Sequence, residues 1–178
     1  MGYIGQTITT VFPTSISVDT ATIATANISN QLTDANMSAG SVVQVVSFVY
    51  ESGQISNSTS TFADTGLTAS ITPSSSSNKI LVIMQVSSCF TTTNTNAEID
   101  VNLLRDSTQL IATMGGRGTN GTTSGDAIGT VGCAFLDSPS TTSSTTYKSQ
   151  FKSTNNNATA SVHLGGTTST MVLMEIAA

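Results

Sequence analysis

The chain has 178 residues with a net charge of −5 and a pI near 4.4; only 8% are charged and roughly a third are Ser or Thr. Five Lys+Arg in all make no basic stripe, which excludes phosphate-driven nucleic-acid binding and attraction to an acidic membrane surface, and no apolar run reaches the ~20 residues of a membrane-spanning helix. An apolar fraction of 38% gathered in short patterned runs excludes a disordered chain, which lacks the apolar surface to offset its ordering entropy.

Residues 1 to about 40 carry isolated apolar residues among Thr, Ala, Ser and Asn with no sustained period. They read as an extended N-terminal arm (residues 1–40) that cannot form its own core and is ordered by packing on another chain, with Ile4, Ile8, Val11, Phe12 and Ile16 as the anchoring side chains. A helix through 19–38, N-capped by Asp19, is the alternative, weakened by the Thr content. The opening Met1-Gly2-Tyr3-Ile4-Gly5 has no basic and no long apolar region, so it is not a secretory signal, and synthesis in a cytoplasm is expected.

From Val42 the pattern turns regular, and residues 41–178 read as one β domain. Val42–Glu51 is a near-continuous apolar run suited to a central strand. Ser58–Ala63 and Leu67–Thr72 flank a turn at Asp64-Thr65-Gly66. Lys79–Phe90 is the most apolar stretch and reads as a strand buried on both faces. Glu98–Arg105 alternates, with Ile99, Val101 and Leu103 inward and Glu98, Asp100 and Asn102 outward. Arg105-Asp106-Ser107 turns into Thr108–Met114, and a Gly-rich loop, Gly115–Gly125, leads to Asp126–Leu136. After a polar turn at Ser138–Ser144, Thr145–Ser153 places Tyr147 and Phe151 on one face and Lys148, Gln150 and Lys152 on the other. Ala158–Leu164 and Ser169–Ile176 complete the set. Eight to ten short strands separated by Gly, Ser and Asn turns predict an all-β antiparallel sandwich of jelly-roll type.

No constellation carries chemistry. His163, the only histidine, falls by alternation on the outward face with Thr159 and Ser161, away from any nucleophile–base arrangement. Gly116-Arg117-Gly118-Thr119-Asn120-Gly121 matches a dinucleotide fingerprint in letters alone, since no helical period follows it. Two separated cysteines and one histidine cannot build a structural zinc site, and Glu98, Asp100 and Asn102 read as a solvated strand face with no calcium loop. Cys89 and Cys133 sit in apolar runs and read as buried free thiols, a cross-strand disulfide being the alternative. Tyr50, Tyr147 and Phe151 read as core aromatics, with sugar stacking as the alternative. No catalytic residue, cofactor or metal is expected.

The segment from Ser58-Thr59-Ser60-Thr61-Phe62-Ala63-Asp64-Thr65-Gly66 through Leu67-Thr68-Ala69-Ser70-Ile71-Thr72-Pro73 to Lys79-Ile80-Leu81-Val82 resembles one that recurs in structural proteins of tailed bacteriophages, especially marine and cyanobacterial ones. The opening Met1-Gly2-Tyr3-Ile4-Gly5 is similar to the start of many such proteins, often described as tail fibres. The resemblance implies a virion component, non-enzymatic and exposed on the particle, with a β-sandwich domain and a homotrimeric state. Its partners would be the major capsid protein or tail proteins of the same virion. The arm favours a capsid decoration or cement protein. A short tail fibre or fibre tip that binds host-surface glycan is the second reading. A tailspike-like depolymerase is the third, and it would need a carboxylate pair across a cleft that no residue marks.

Overall fold

The computed structural model describes residues 37–92, 98–117, 126–154, 156 and 158–178; the arm residues Ile4, Ile8, Val11, Phe12 and Ile16 lie outside them. Ten strands run in chain order: β1 Val42–Tyr50, β2 Ile55–Asn57, β3 Ala63–Ile71, β4 Lys79–Thr91, β5 Glu98–Arg105, β6 Thr108–Arg117, β7 Asp126–Asp137, β8 Thr145–Ser153, β9 Ala160–Val162 and β10 Ser169–Ile176. Every pairing among them is antiparallel.

Sheet A is six-stranded. One edge of β4 pairs with β7, so β10 and β9 both occupy its other edge, β10 along Lys79–Gln85 and β9 at Phe90–Thr91. Beyond them lie β1 on β10 and β2 on β9. Sheet B has the order β3-β8-β5-β6. Counting β1 with β2 and β9 with β10 as single broken strands, the two sheets read 1-8-3-6 and 2-7-4-5, which is the jelly-roll arrangement of two interlocked Greek keys.

The core lies between the sheets. Ile80, Val82, Met84 and Val86 of β4 meet Met171 and Leu173 of β10 from one side and Leu67, Ile71, Ile99, Val101, Leu103, Tyr147 and Phe151 of sheet B from the other. Each of these side chains is almost fully buried, which contributes about 1.5–3 kcal/mol per large apolar residue. Alternation alone would turn Cys89 outward. Ser88 takes a left-handed conformation (φ 47°) at a bulge between Val86 and Cys89, the extra residue returns Cys89 to the core, and a second irregularity at Gly129 (φ 94°) on β7 restores the register.

Several local expectations change in three dimensions. Asp64-Thr65-Gly66 is no turn. β3 runs straight through it, and two extra residues between Asp64 and Thr68 bulge against β8, with Gly66 at φ 81°. Thr65 buries its hydroxyl on the Ser149 hydroxyl and carbonyl, which holds the bulge. Residues 58–62 form a loop rather than a strand because buried Asn57 organises them: its Oδ1 accepts from the Thr59 amide and hydroxyl while its Nδ2 donates to the Thr61 carbonyl. The run at 42–51 is an edge strand among the described residues, not a central one. Lys79–Phe90 is central but buried on one face only, since Ile83 stays 40% exposed.

Other expectations are met. Ile99, Val101 and Leu103 point inward, and Tyr147 and Phe151 fill the core opposite Lys148, Gln150 and Lys152. Asn102, expected outside, is buried instead, its Oδ1 accepting from the Gln150 amide. The Arg105–Thr108 reversal is a two-residue turn that uses Asp106 at φ 53°.

Candidate functional site: an apolar outer sheet face

The two sheets present opposite kinds of surface to their surroundings. On sheet A the cross-strand register aligns the outward side chains in rows: Val45 beside Met174 beside Leu81 beside Leu136, and Val172 beside Ile83 beside Ala134. Of the large apolar residues most exposed in the described structure, Val42, Val45, Val49, Ile83 and Leu136 all belong to this one face, at 40–56% exposure. Lys79 is the charged residue among its cross-strand positions. Scattered exposed hydrophobics need no explanation, but a contiguous set across four strands marks a surface that something covers.

The face is indented near its centre. Gly132 has no side chain and Ala134 only a methyl, so Ile83, Gln85, Thr130, Thr170 and Val172 surround an open trough of about 580 Å³. Gly132 cannot be filled in, because a β-carbon there would fall on the Met84 carbonyl oxygen. The depression is thus a consequence of close strand packing.

Sheet B turns a polar face outward. Asp64 accepts from Lys148 Nζ (3.0 Å) and Gln150 Nε2 (2.7 Å); partial burial works to raise its pKa, but those bonds and the Lys148 charge hold it below the usual carboxylate value. Lys152 lies 3.4 Å from Asp100 and over the Phe62 ring at 4.8 Å. Ser70 and Thr146 share a hydrogen bond on the same face. The Lys148–Asp64 pair, with its carboxylate exposed, contributes little to stability; together these groups make a face suited to water.

The chain's polar interior groups are structural fasteners. His163, expected on the surface, is fully buried. β9 ends at Val162 and His163 takes a left-handed conformation (φ 58°), which breaks the alternation and swings the ring between the sheets. Its Nε2 donates to the Thr65 carbonyl (2.9 Å) and its Nδ1 accepts from the Ser169 hydroxyl (2.7 Å), which itself accepts from the Ser87 amide. Tyr50 stacks on it with ring centroids 4.3 Å apart. Burial holds the imidazole below its ordinary value against the opposing Thr65 bond, so it is neutral. The Ser169–His163 contact has the geometry of a nucleophile and base, but both residues are sealed from solvent and the far nitrogen meets a carbonyl in place of an orienting carboxylate. Ser161, grouped with His163 as outward, is buried too.

Glu175 is likewise fully buried, accepting from Gln44, from the Ser74 amide and hydroxyl, and from Asn78. Burial works to raise its value, and these four donations outweigh it, leaving it ionised below the usual glutamate range. Among the described residues no cluster of three His, Cys, Asp or Glu side chains could hold a metal ion. Glu98 and Asp100 remain at half-buried strand positions. The cysteines are free; Cys89 is buried with its thiol pushed up to about 11, and half-buried Cys133 is raised by the same cause. Of the Gly-rich motif, Gly116 and Arg117 end β6, and the remainder lies outside the described residues.

No protein-family description matches this chain, and no curated protein matches it. Among solved structures it is similar to the infectious bursal disease virus VP2 subviral particle, at 16% identity and a TM-score of 0.33, over 78% of this chain and 38% of that one. The chain therefore spans about two-fifths of that neighbour's length. A likeness of that size says nothing about function.

The apolar face was legible only in part. In Val42-Val43-Gln44-Val45-Val46-Ser47-Phe48-Val49-Tyr50 both alternating sets are apolar. That pattern signals a strand covered on both sides, and within one domain it reads as a central strand. At an edge strand the same pattern signals a second covering from outside the fold.

Proposed function

We propose that this chain is a non-enzymatic structural protein of a bacteriophage virion, exposed on the particle as a capsid decoration or cement protein and anchored through its N-terminal arm. The observation that carries this reading is the contrast between the faces. Sheet A turns outward a contiguous apolar surface with Lys79 as the charged residue among its described cross-strand positions, while sheet B turns outward paired charges and hydroxyls. A domain with this asymmetry is suited to sit against other protein on one side and to meet water on the other. The tailed-phage resemblance of residues 58–82 supports the same reading. So does the use of the only histidine as a buried link between sheets, where no substrate reaches it.

The test is the position of the protein on intact particles, read by cryo-electron microscopy with a tagged chain. Density at capsid three-folds or between capsomers is the expected result. Density confined to the tail would replace it with the fibre-tip reading and direct attention to glycan binding. Absence from particles would overturn both. A chain lacking residues 1–40 is expected to be left out of particles; normal loading of that variant would remove the arm as anchor.

A further inference from the structure

We propose that the apolar outer face of sheet A is the seat for the N-terminal segment of a second copy of this chain, so that copies link arm to face. This deepens the virion reading and rests on its premise that the segment before Met37 is an anchor.

The chemistry of the two surfaces matches. The 36 residues that precede Met37 contain no Lys or Arg and only two carboxylates, Asp19 and Asp34. The face carries Lys79 as its charged cross-strand residue. Neither side would bury an unpaired charge of any number on meeting, which is the main penalty such an interface has to avoid. The segment's isolated apolar side chains, Phe12 the bulkiest among those assigned to anchoring, have no periodic pattern with which to cover one another. The trough over Gly132, walled by Ile83 and Val172, has room for an aromatic ring.

Reach permits a neighbour's face as well as a copy's own. Gly40 and Ser41 are tied to Ala177 by backbone hydrogen bonds, so the described chain begins at the edge of sheet A itself. Twenty residues separate Ile16 from Met37, a tether of up to ~70 Å at ~3.3–3.6 Å per residue. β1 is nine residues long, so the face measures only ~30 Å along the strands. A chain of that contour length is long enough to span from one domain to the face of a neighbour, and pairing within one copy is the outcome that the test below separates from it.

The experiment uses the purified full-length chain in a Cys89→Ala, Cys133→Ala background. Thr10→Cys is placed in one population and Ala134→Cys, at the trough, in another. Mixed and oxidised, they are expected to give disulfide-linked dimers containing one chain of each kind. A bridge that forms only when both cysteines are in the same chain, or no bridge at all, overturns the proposal. Ala134→Trp fills the trough from an exposed position. It is expected to weaken self-association at least tenfold by light scattering while the melting temperature stays within about two degrees; association equal to wild type overturns the proposal. Both readouts are made without particles. A monomeric chain that still decorates capsids would sink this inference alone, and a self-linking chain absent from particles would sink the virion reading alone.

Discussion

Asp137, at the end of β7 in sheet A, is held by Arg105, at the end of β5 in sheet B: one guanidinium nitrogen lies 2.9 Å and 2.8 Å from its two carboxylate oxygens. The Tyr147 hydroxyl donates to the same carboxylate at 2.7 Å, and burial, with that bond and the Asp137 charge added, pushes the phenol far above its ordinary value. The pair closes one end of the sandwich between sheets that share no hydrogen-bonded strands.

Replacing Asp137 by Ala leaves the Tyr147 hydroxyl buried without its acceptor and strands a partly covered guanidinium. The expected loss is about 2–4 kcal/mol. Tyr147→Phe removes one bond and keeps the ion pair, so it is expected to lose only about 1–2 kcal/mol. Urea unfolding of both variants checks the order; equal losses would mean that Arg105 contributes nothing.

Gly66 lies beneath the Tyr50 ring, and a β-carbon there would land on the ring carbons. Gly66→Ala therefore combines a collision with a left-handed backbone (φ 81°), and it displaces the ring that stacks on His163. About 2–3 kcal/mol of destabilisation is expected, most of it the steric part. Gly53→Ala has a comparable φ of 102° but open space around it, and about 1 kcal/mol is expected there. Similar losses at the two sites in chemical denaturation would remove the role given to Tyr50.

Two buried titratable groups set the acid response. His163 is held below its ordinary 6.5, so between the unfolded and folded values the unfolded chain binds the extra proton. Its contribution is present above pH 6.5 and is lost as pH falls through the folded value. Glu175 is held below its ordinary 4.5; its contribution is present above that pH and lost as the carboxylate protonates lower down. Unfolding free energy measured against pH should fall in two successive stages from pH 6.5 downward. His163→Gln should abolish the first stage and Glu175→Gln the second; a His163→Gln profile parallel to wild type would disprove the assignment.

The thiols should react in a fixed order. Cys89 is buried with its value raised to about 11, so its thiolate is scarce at pH 8 as well as inaccessible. Cys133 is half-buried on the core side of β7, and burial raises its value too. A thiol reagent on the folded chain should modify Cys133 first and Cys89 only with unfolding. Simultaneous labelling would show that β4 and β7 open together.

Residue alternation made the fold class readable because most strands here obey it: Ile99, Val101 and Leu103, or Tyr147 and Phe151, could be assigned inward from spacing alone. It failed at Asn102 and Ser161, polar residues covered where solvent was expected, and where a residue adopts a left-handed backbone. His163, Ser88 and Gly66 each break the period of two, and no local composition marks them among so many Ser, Thr and Gly. The outer face was misread for a different reason. Strand order is a non-local property, and an apolar edge strand looks like a central one until its neighbours are known.

Gly40 and Ser41, just before β1, bond directly across to Ala177, just after β10. The segments that enter β1 and leave β10 thus end at the same corner of neighbouring antiparallel strands. A pull between those ends would peel β1 from β10 one rung at a time, as a zip opens, instead of shearing all their rungs at once. The molecule is mechanically soft along that axis, however stable it is to heat or denaturant. Any strain it is to withstand must cross its faces.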